Sequence, residues 1–158
     1  MTAKVRFWYN RAMYFQNEED LMAYGKNFGG HLQAQDVIVL TGDLGAGKTT
    51  FTKGLAQGLG IVQMIKSPTY TIVREYEGRL PLYHLDVYRI GDDPDSIDLD
   101  DFLFGDGVTV IEWGRLLGEH LPEDYLEVSL KHSGQGREIS LSAHGERATT
   151  LMEVVQHG

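Results

Sequence analysis

At 158 residues the chain is long enough to bury one sizeable core and too short for two comfortable ones. Its 14 Lys and Arg against 23 Asp and Glu give a formal net charge of -9, which argues against broad electrostatic attraction to nucleic acid, while a hydrophobic content of 42% excludes a disordered chain. The absence of cysteine excludes disulfides and thiolate catalysis.

The opening stretch MTAKVRFWYNRAMYFQ carries basic residues but no uninterrupted apolar core with a small-residue cleavage site. No apolar run reaches the roughly 18 to 20 residues that span a bilayer. A cytoplasmic protein with no membrane partner is expected. Phe7, Trp8 and Tyr9 suit either a docking tail or a short strand. Asn17 is placed to cap a helix starting at Glu18 and Glu19, in which Leu21, Tyr24, Phe28 and Leu32 recur at near-helical spacing until Gly29 and Gly30 interrupt it.

Asp36 to Thr41 is an apolar run too short for a typical helix and reads as a buried strand. A sharp turn from Gly42 to Gly47 follows, and Lys48 starts a helix through Phe51, Leu55 and Leu59. Beyond the turn-like Ser67-Pro68-Thr69, strands are expected at Tyr70 to Tyr76 and Leu80 to Tyr88, joined by a tight reversal at Glu77-Gly78. Gly91 to Asp106 is loop-rich and acidic. A short strand at Val108 to Ile111 ends on Glu112-Trp113. Tyr125 to Lys131 and Arg137 to Leu141 read as two strands joined through Ser133 to Gly136, with a final helix over Glu146 to Val155. The fold class is therefore α/β: a single-domain P-loop fold with a largely parallel or mixed sheet and flanking helices.

Gly42-Asp43-Leu44-Gly45-Ala46-Gly47-Lys48-Thr49 matches the Walker A pattern without a departure, in the strand–turn–helix setting that gives the pattern its meaning. The glycines let consecutive backbone N–H groups curve around phosphate oxygens. Lys48 brings a positive charge to the β and γ phosphates, and the Thr49 hydroxyl suits magnesium. Thr50 belongs to the same cradle. ATP and Mg2+ are the expected cofactors.

A P-loop also needs acids to organise metal and water. Glu112 follows Val108-Thr109-Val110-Ile111 in the manner of a Walker B acid and is a candidate metal ligand opposite Thr49. The alternative is an edge-strand acid in solvent. Strand alternation puts His84, Asp86 and Tyr88 on one face and Tyr83, Leu85 and Val87 on the other. Asp86 either orients water at the phosphate or pairs with Arg89 or another basic neighbour. His84 reads as a hydrogen-bonded structural histidine, and no His/Asp/Glu spacing calls for structural zinc. Thr69 is either a switch threonine or an ordinary turn residue. The acidic 91–106 segment argues against a small-molecule kinase, whose lid is usually basic. No basic stripe with interleaved aromatics supports direct tRNA binding.

Taken together, GDLGAGKTTF at 42–51, KSPTYTIV at 66–73, LYHLDVYRI at 82–90 and VIEW at 110–113 resemble the TsaE family (also called YjeE), the P-loop ATPase component of bacterial threonylcarbamoyladenosine tRNA modification. The resemblance covers the chain from about residue 14, dividing it into a leading segment at 1–13 and an ATPase domain at 14–158. It implies an ATPase that works with TsaD-type and TsaB-type proteins, contacts tRNA mainly through their complex, and hydrolyses ATP without itself making the carbamoyl bond. It further implies phosphate and magnesium roles for Lys48 and Thr49, a metal-associated Glu112 and a hydrolytic Asp86. Thr69 falls in the switch-like segment, and Trp113 matches a tryptophan beside the nucleotide. Ordering of Ser67 to Thr71 by Mg–ATP would couple occupancy to partner docking. Many family members have proline after Glu-Trp where this chain has Gly114.

Overall fold

The computed structural model describes residues 7–9, 12–43, 45–68, 72–88 and 98–156. Its centre is β3 (Val37–Thr41), where Ile38, Val39 and Leu40 are fully buried because the sheet is covered on both faces. On one side β3 pairs in parallel with β6 (Val108–Glu112), which pairs in parallel with β5 (Leu82–Asp86). An antiparallel β4 (Val73–Tyr76) lies outside β5. On the other side β3 runs parallel to β7 (Tyr125–Ser133), which turns back into antiparallel β8 (Gly136–His144). β1 (Phe7–Tyr9) and β2 (Met13–Phe15) both pair antiparallel with β8, completing an eight-stranded mixed sheet. Of the two roles open to Phe7 to Tyr9, the structure shows the strand.

Alternation along the strands sorts the core into two layers. Ile38, Leu40, Leu82, Val108 and Val110 pack with α1 (Glu18–Gly30), α2 (Lys48–Gly58) and α4 (Glu146–Val155). Val37, Leu85 and Ile111 face the other way, against α3 (Leu99–Leu103) and a short 3-10 segment at Gly114–His120.

α1 begins where its sequence places it: the Asn17 side chain accepts a hydrogen bond from the Asp20 amide at 2.9 Å. The expected interruption at Gly29 does not occur, and the helix continues through Gly30. The reason is tertiary. Gly25 and Gly29 of α1 interlock with Gly54 and Gly58 of α2 so closely that a Cβ at Gly29 would lie 2.2 Å from the Leu55 carbonyl oxygen, and one at Gly54 2.3 Å from that of Met22. The two backbones touch where side chains would normally separate them. Arg79, from the β4–β5 turn, donates to the Gly29 and Leu32 carbonyls and satisfies the end of the same helix.

The remaining elements differ from expectation at their ends. β4 starts at Val73, not Tyr70, because Ile72 takes a left-handed backbone (φ 69°) that ends the extended run; residues 69–71 lie outside the described set. β5 starts at Leu82, not Leu80. Within the acidic segment, Leu99 and Leu103 are buried one helical turn apart and form α3. At α4 the N-cap residue is Gly145, and Asp124 from the start of β7 accepts the Arg147 and Ala148 amides at 2.9 Å each. No helix among the described residues is long and apolar enough to cross a membrane.

Candidate functional site

In the sheet register Leu40 lies opposite Glu112, and Glu112 opposite Asp86. The carboxyl ends of β3, β6 and β5 therefore share one edge, where open α/β sheets place their ligands. From β3 the chain turns through Gly45 (φ 80°) and Gly47 (φ 106°), backbone conformations that side chains strongly disfavour. α2 then starts at Lys48 with no side-chain cap, so the amides of its first turn lack the partner a capped helix supplies. Gly42 approaches β7 so closely that a Cβ would lie 2.5 Å from the Leu130 carbonyl oxygen. The turn is a cradle that added side chains would fill or distort.

A cavity of about 550 Å³ opens beside it, within the usual range for ligand pockets. Gly45, Gly47, Lys48, Thr49 and Thr50 line it from the cradle, and Asp86, Glu112 and Trp113 from the strand ends. Gly42, Asp43 and Ala46 shape the turn without lining the cavity; Ala46 is fully buried in the core. Leu44, Thr69 and Arg89 lie outside the described residues.

Glu112 is 8% exposed on an interior strand, which removes the solvent-edge alternative. Its Oε1 lies 3.7 Å from Lys48 Nζ, and its Oε2 lies 2.8 Å from His84 Nε2. Lys48 Nζ also sits 4.7 Å from the centre of the Trp113 ring, a cation–π contact. Tyr88 packs against the same indole, tilted, with ring centres 5.0 Å apart. Asp86 is 4% exposed, and its Oδ1 accepts the Tyr88 amide at 3.0 Å. Among the described residues it forms no ion pair.

The chain leaves this cluster through Trp113, itself left-handed (φ 64°), into Gly114. A Cβ at Gly114 would lie 2.9 Å from Val39 Cγ1, so the buried position suits glycine and leaves little room for the proline common in the resembling family. Arg115 then ties the loop down, its Nε and Nη2 donating to Glu127 Oε2 and Oε1 at 2.7 and 2.8 Å while Thr41 Oγ1 donates to the same carboxylate at 3.2 Å. Burial pushes the Glu127 carboxyl up, but the Arg115 and Thr41 donors and the Arg115 charge outweigh it and hold the group below the ordinary carboxylate range. One buried acid thus joins the ends of β3, β7 and the loop after Trp113.

The far end of the cavity was not foreseen from sequence. Phe15, Asn17, Glu18, Gln135, Gly136 and Arg137 close it. Arg137 Nη2 donates to the Gly45 carbonyl at 3.2 Å, placing a second cation beside the cradle. No local motif signals this, because the approach depends on the β7–β8 hairpin folding back to the turn.

The side chains present suit magnesium with a phosphate ligand. A threonine hydroxyl and a carboxylate face one cavity, and magnesium typically takes only one or two protein oxygens beside phosphate and water. Among the described residues no group of three or more His, Asp or Glu forms a larger metal cluster.

A glycine turn from a central parallel strand into a helix that opens on lysine, facing a strand-end acid, defines a P-loop protein of the α/β class. Residues 15–139 match the family described as "Threonylcarbamoyl adenosine biosynthesis protein TsaE". The "tRNA threonylcarbamoyladenosine biosynthesis protein TsaE" of Bacillus subtilis is 47% identical over 139 residues, covering 87% of this chain and 88% of that protein. The protein of the same name from Treponema pallidum is 44% identical over 130 residues, 80% of this chain and 96% of its own. The crystal structure of YdiB from Bacillus subtilis superposes with a TM-score of 0.79 at 40% identity, covering 99% of this chain and 97% of that one. The chain belongs to the TsaE family.

Proposed function

We propose that this protein is the Mg–ATP-binding and ATP-hydrolysing component of tRNA threonylcarbamoyladenosine biosynthesis, working in the cytoplasm with TsaD-type and TsaB-type partners on ANN-decoding tRNAs. The pathway follows from the family and from the names of its relatives. The observation that carries the chemistry is the convergence of Lys48, Thr49, Asp86 and Glu112 on one cavity beside the glycine cradle.

The cradle amides and Lys48 bind the polyphosphate. Lys48 exchanges its 3.7 Å contact with Glu112 for phosphate oxygens while remaining against the Trp113 ring. Thr49 and Glu112 would hold magnesium, which when bound would supply charge neutralisation at the phosphates. Asp86 accepts a hydrogen bond from the attacking water. The water oxygen bonds to the γ phosphorus as the bond to the bridging oxygen breaks, releasing ADP and phosphate. Trp113 and Tyr88 screen this end of the cavity from bulk water.

The test is Mg–ATP turnover by wild type and Asp86→Ala, alone and with the TsaD/TsaB-type complex, with tRNA modification followed in parallel. Asp86→Ala should keep nucleotide affinity within about threefold and lose turnover by roughly two orders of magnitude, the scale of a positioned acid–base group. Wild-type turnover in that variant would refute the role of Asp86.

One observation favours a second reading, in which ATP occupancy rather than hydrolysis is the signal. Tyr88 and Trp113, which line the cavity, are 62% and 41% exposed, so its mouth carries aromatic surface suited to a nucleotide-controlled protein contact. Modification that persists at the wild-type rate with the turnover-deficient Asp86→Ala protein would select this reading.

A further inference from the structure

His84 occupies an unusual place. It lies on β5 between Val110 of β6 and Arg74 of β4 in register, on an interior strand that also carries fully buried Leu82 and Leu85. It is 1% exposed and, unlike Asp86 and Glu112, does not line the cavity. It is set behind the residues that line the cavity. Its single side-chain hydrogen bond among the described residues joins Nε2 to Glu112 Oε2 at 2.8 Å, and Nδ1 is buried with no partner there.

The chemistry fixes the direction of that bond. A carboxylate only accepts, so Nε2 carries the proton and donates. With Nε2 as the donor, the neutral ring leaves just a lone pair unmatched at Nδ1, which costs less than a buried N–H with no acceptor. An aliphatic residue would fill this strand position without leaving any polar atom unmatched. What it would not do is hold Glu112. With Oε2 tied to His84, the glutamate is held with Oε1 toward Lys48 and the cradle.

We propose that His84 is a positioning residue for Glu112, fixing one carboxylate oxygen so that the other is presented to the magnesium of the bound nucleotide. This rests on the Mg–nucleotide reading of the site given above. The alternative is that His84 serves the fold alone, in which case removing its donor would change stability without selectively changing metal affinity.

The experiment measures two affinities in wild type, His84→Leu and His84→Gln, which keeps a donor near the Nε2 position. The first is for ADP in excess chelator, by calorimetry. The second is for Mn2+ binding to the ADP-loaded protein, by electron paramagnetic resonance. The expected result is that His84→Leu keeps metal-free ADP affinity within about twofold but loses Mn2+ affinity by about tenfold, the lower end of the loss seen when an outer-shell partner of a metal ligand is removed. His84→Gln should recover most of that loss. In a Glu112→Gln background, His84→Leu should have no further effect on Mn2+. If His84→Leu does not fold, His84→Asn, too short to reach Oε2, takes its place.

Unchanged Mn2+ affinity in the donor-free variant overturns the proposal, as does an equal tenfold loss in the Glu112→Gln background. Mn2+ binding by wild type with either of those results leaves the Mg–nucleotide reading standing. Failure of wild type to bind ADP, or Mn2+ in its presence, removes that reading and this proposal together.

Discussion

Replacing Gly29 by alanine introduces one methyl carbon at the point where α1 and α2 meet backbone to backbone. The new Cβ would lie 2.2 Å from the Leu55 carbonyl oxygen, 3.0 Å from its carbon and 3.1 Å from Gly58 Cα. Ordinary contact requires roughly 1 Å more, and each obstacle is main chain that cannot rotate away. The helices must separate, loosening Phe28, Phe51 and Leu55, all of which are fully buried. Overpacking of this kind costs about 1–3 kcal/mol and occasionally more. Against it stands the better helix propensity of alanine, about 1 kcal/mol. With four main-chain glycines sharing the interlock, the upper part of that range applies, and a net loss of about 2 kcal/mol is expected. At this chain length that is a fall in Tm of roughly 4–8 °C.

Gly30 supplies the control. It is in the same helix, and a Cβ there would meet nothing within 4 Å, so Gly30→Ala should be neutral or stabilise by up to about 1 kcal/mol. Urea unfolding of the two variants, followed by circular dichroism with slopes compared, gives the difference directly. If Gly29→Ala is as stable as Gly30→Ala, the close approach does not exist in solution and the interlock is wrong.

Glu127 gives a prediction in pH. Its folded pKa is held below the ordinary 4.5, so its stabilisation is complete above that value and is lost as pH falls through the folded value. The Tm difference between wild type and Glu127→Gln should therefore shrink as pH falls below about 4.5, beneath the range where the coupled His144 titrates; a difference that grows below that pH would contradict the assignment. Asp124→Ala leaves two amides of α4 without their shared acceptor and should cost about 1–2 kcal/mol by urea unfolding, whereas Asp124→Asn, which keeps one oxygen, should cost less.

Much of this architecture is written locally. Asn17 before three acidic residues marks the start of α1, the Walker pattern between an apolar run and a helix marks the cradle, and the last helix occupies Glu146–Val155 as read. These signals succeed because capping and periodicity act within a few residues. The failures share one cause. Gly29 looks like a helix breaker until glycine-bearing α2 is known to lie against it, and close packing then outweighs propensity. Alternation placed His84 and Asp86 on one face, yet the bond from His84 to Glu112 required the β5–β6 register. Arg137 reached the cradle through a hairpin, and Arg115 found Glu127 across the sheet. Each depends on residues distant in sequence, where pattern alone has no reach.

Ile72 lies just ahead of β4 with a left-handed backbone, a conformation that costs a β-branched residue about 1–3 kcal/mol. Its amide donates to the Pro68 carbonyl at 2.7 Å, and its own carbonyl accepts the amide of Asp86 at 2.8 Å. Two main-chain bonds therefore hold Ile72 in this conformation, one to Pro68 and one to β5. The amide of the acid at the strand end thus rests on a strained neighbour through the backbone alone, with no side chain between them.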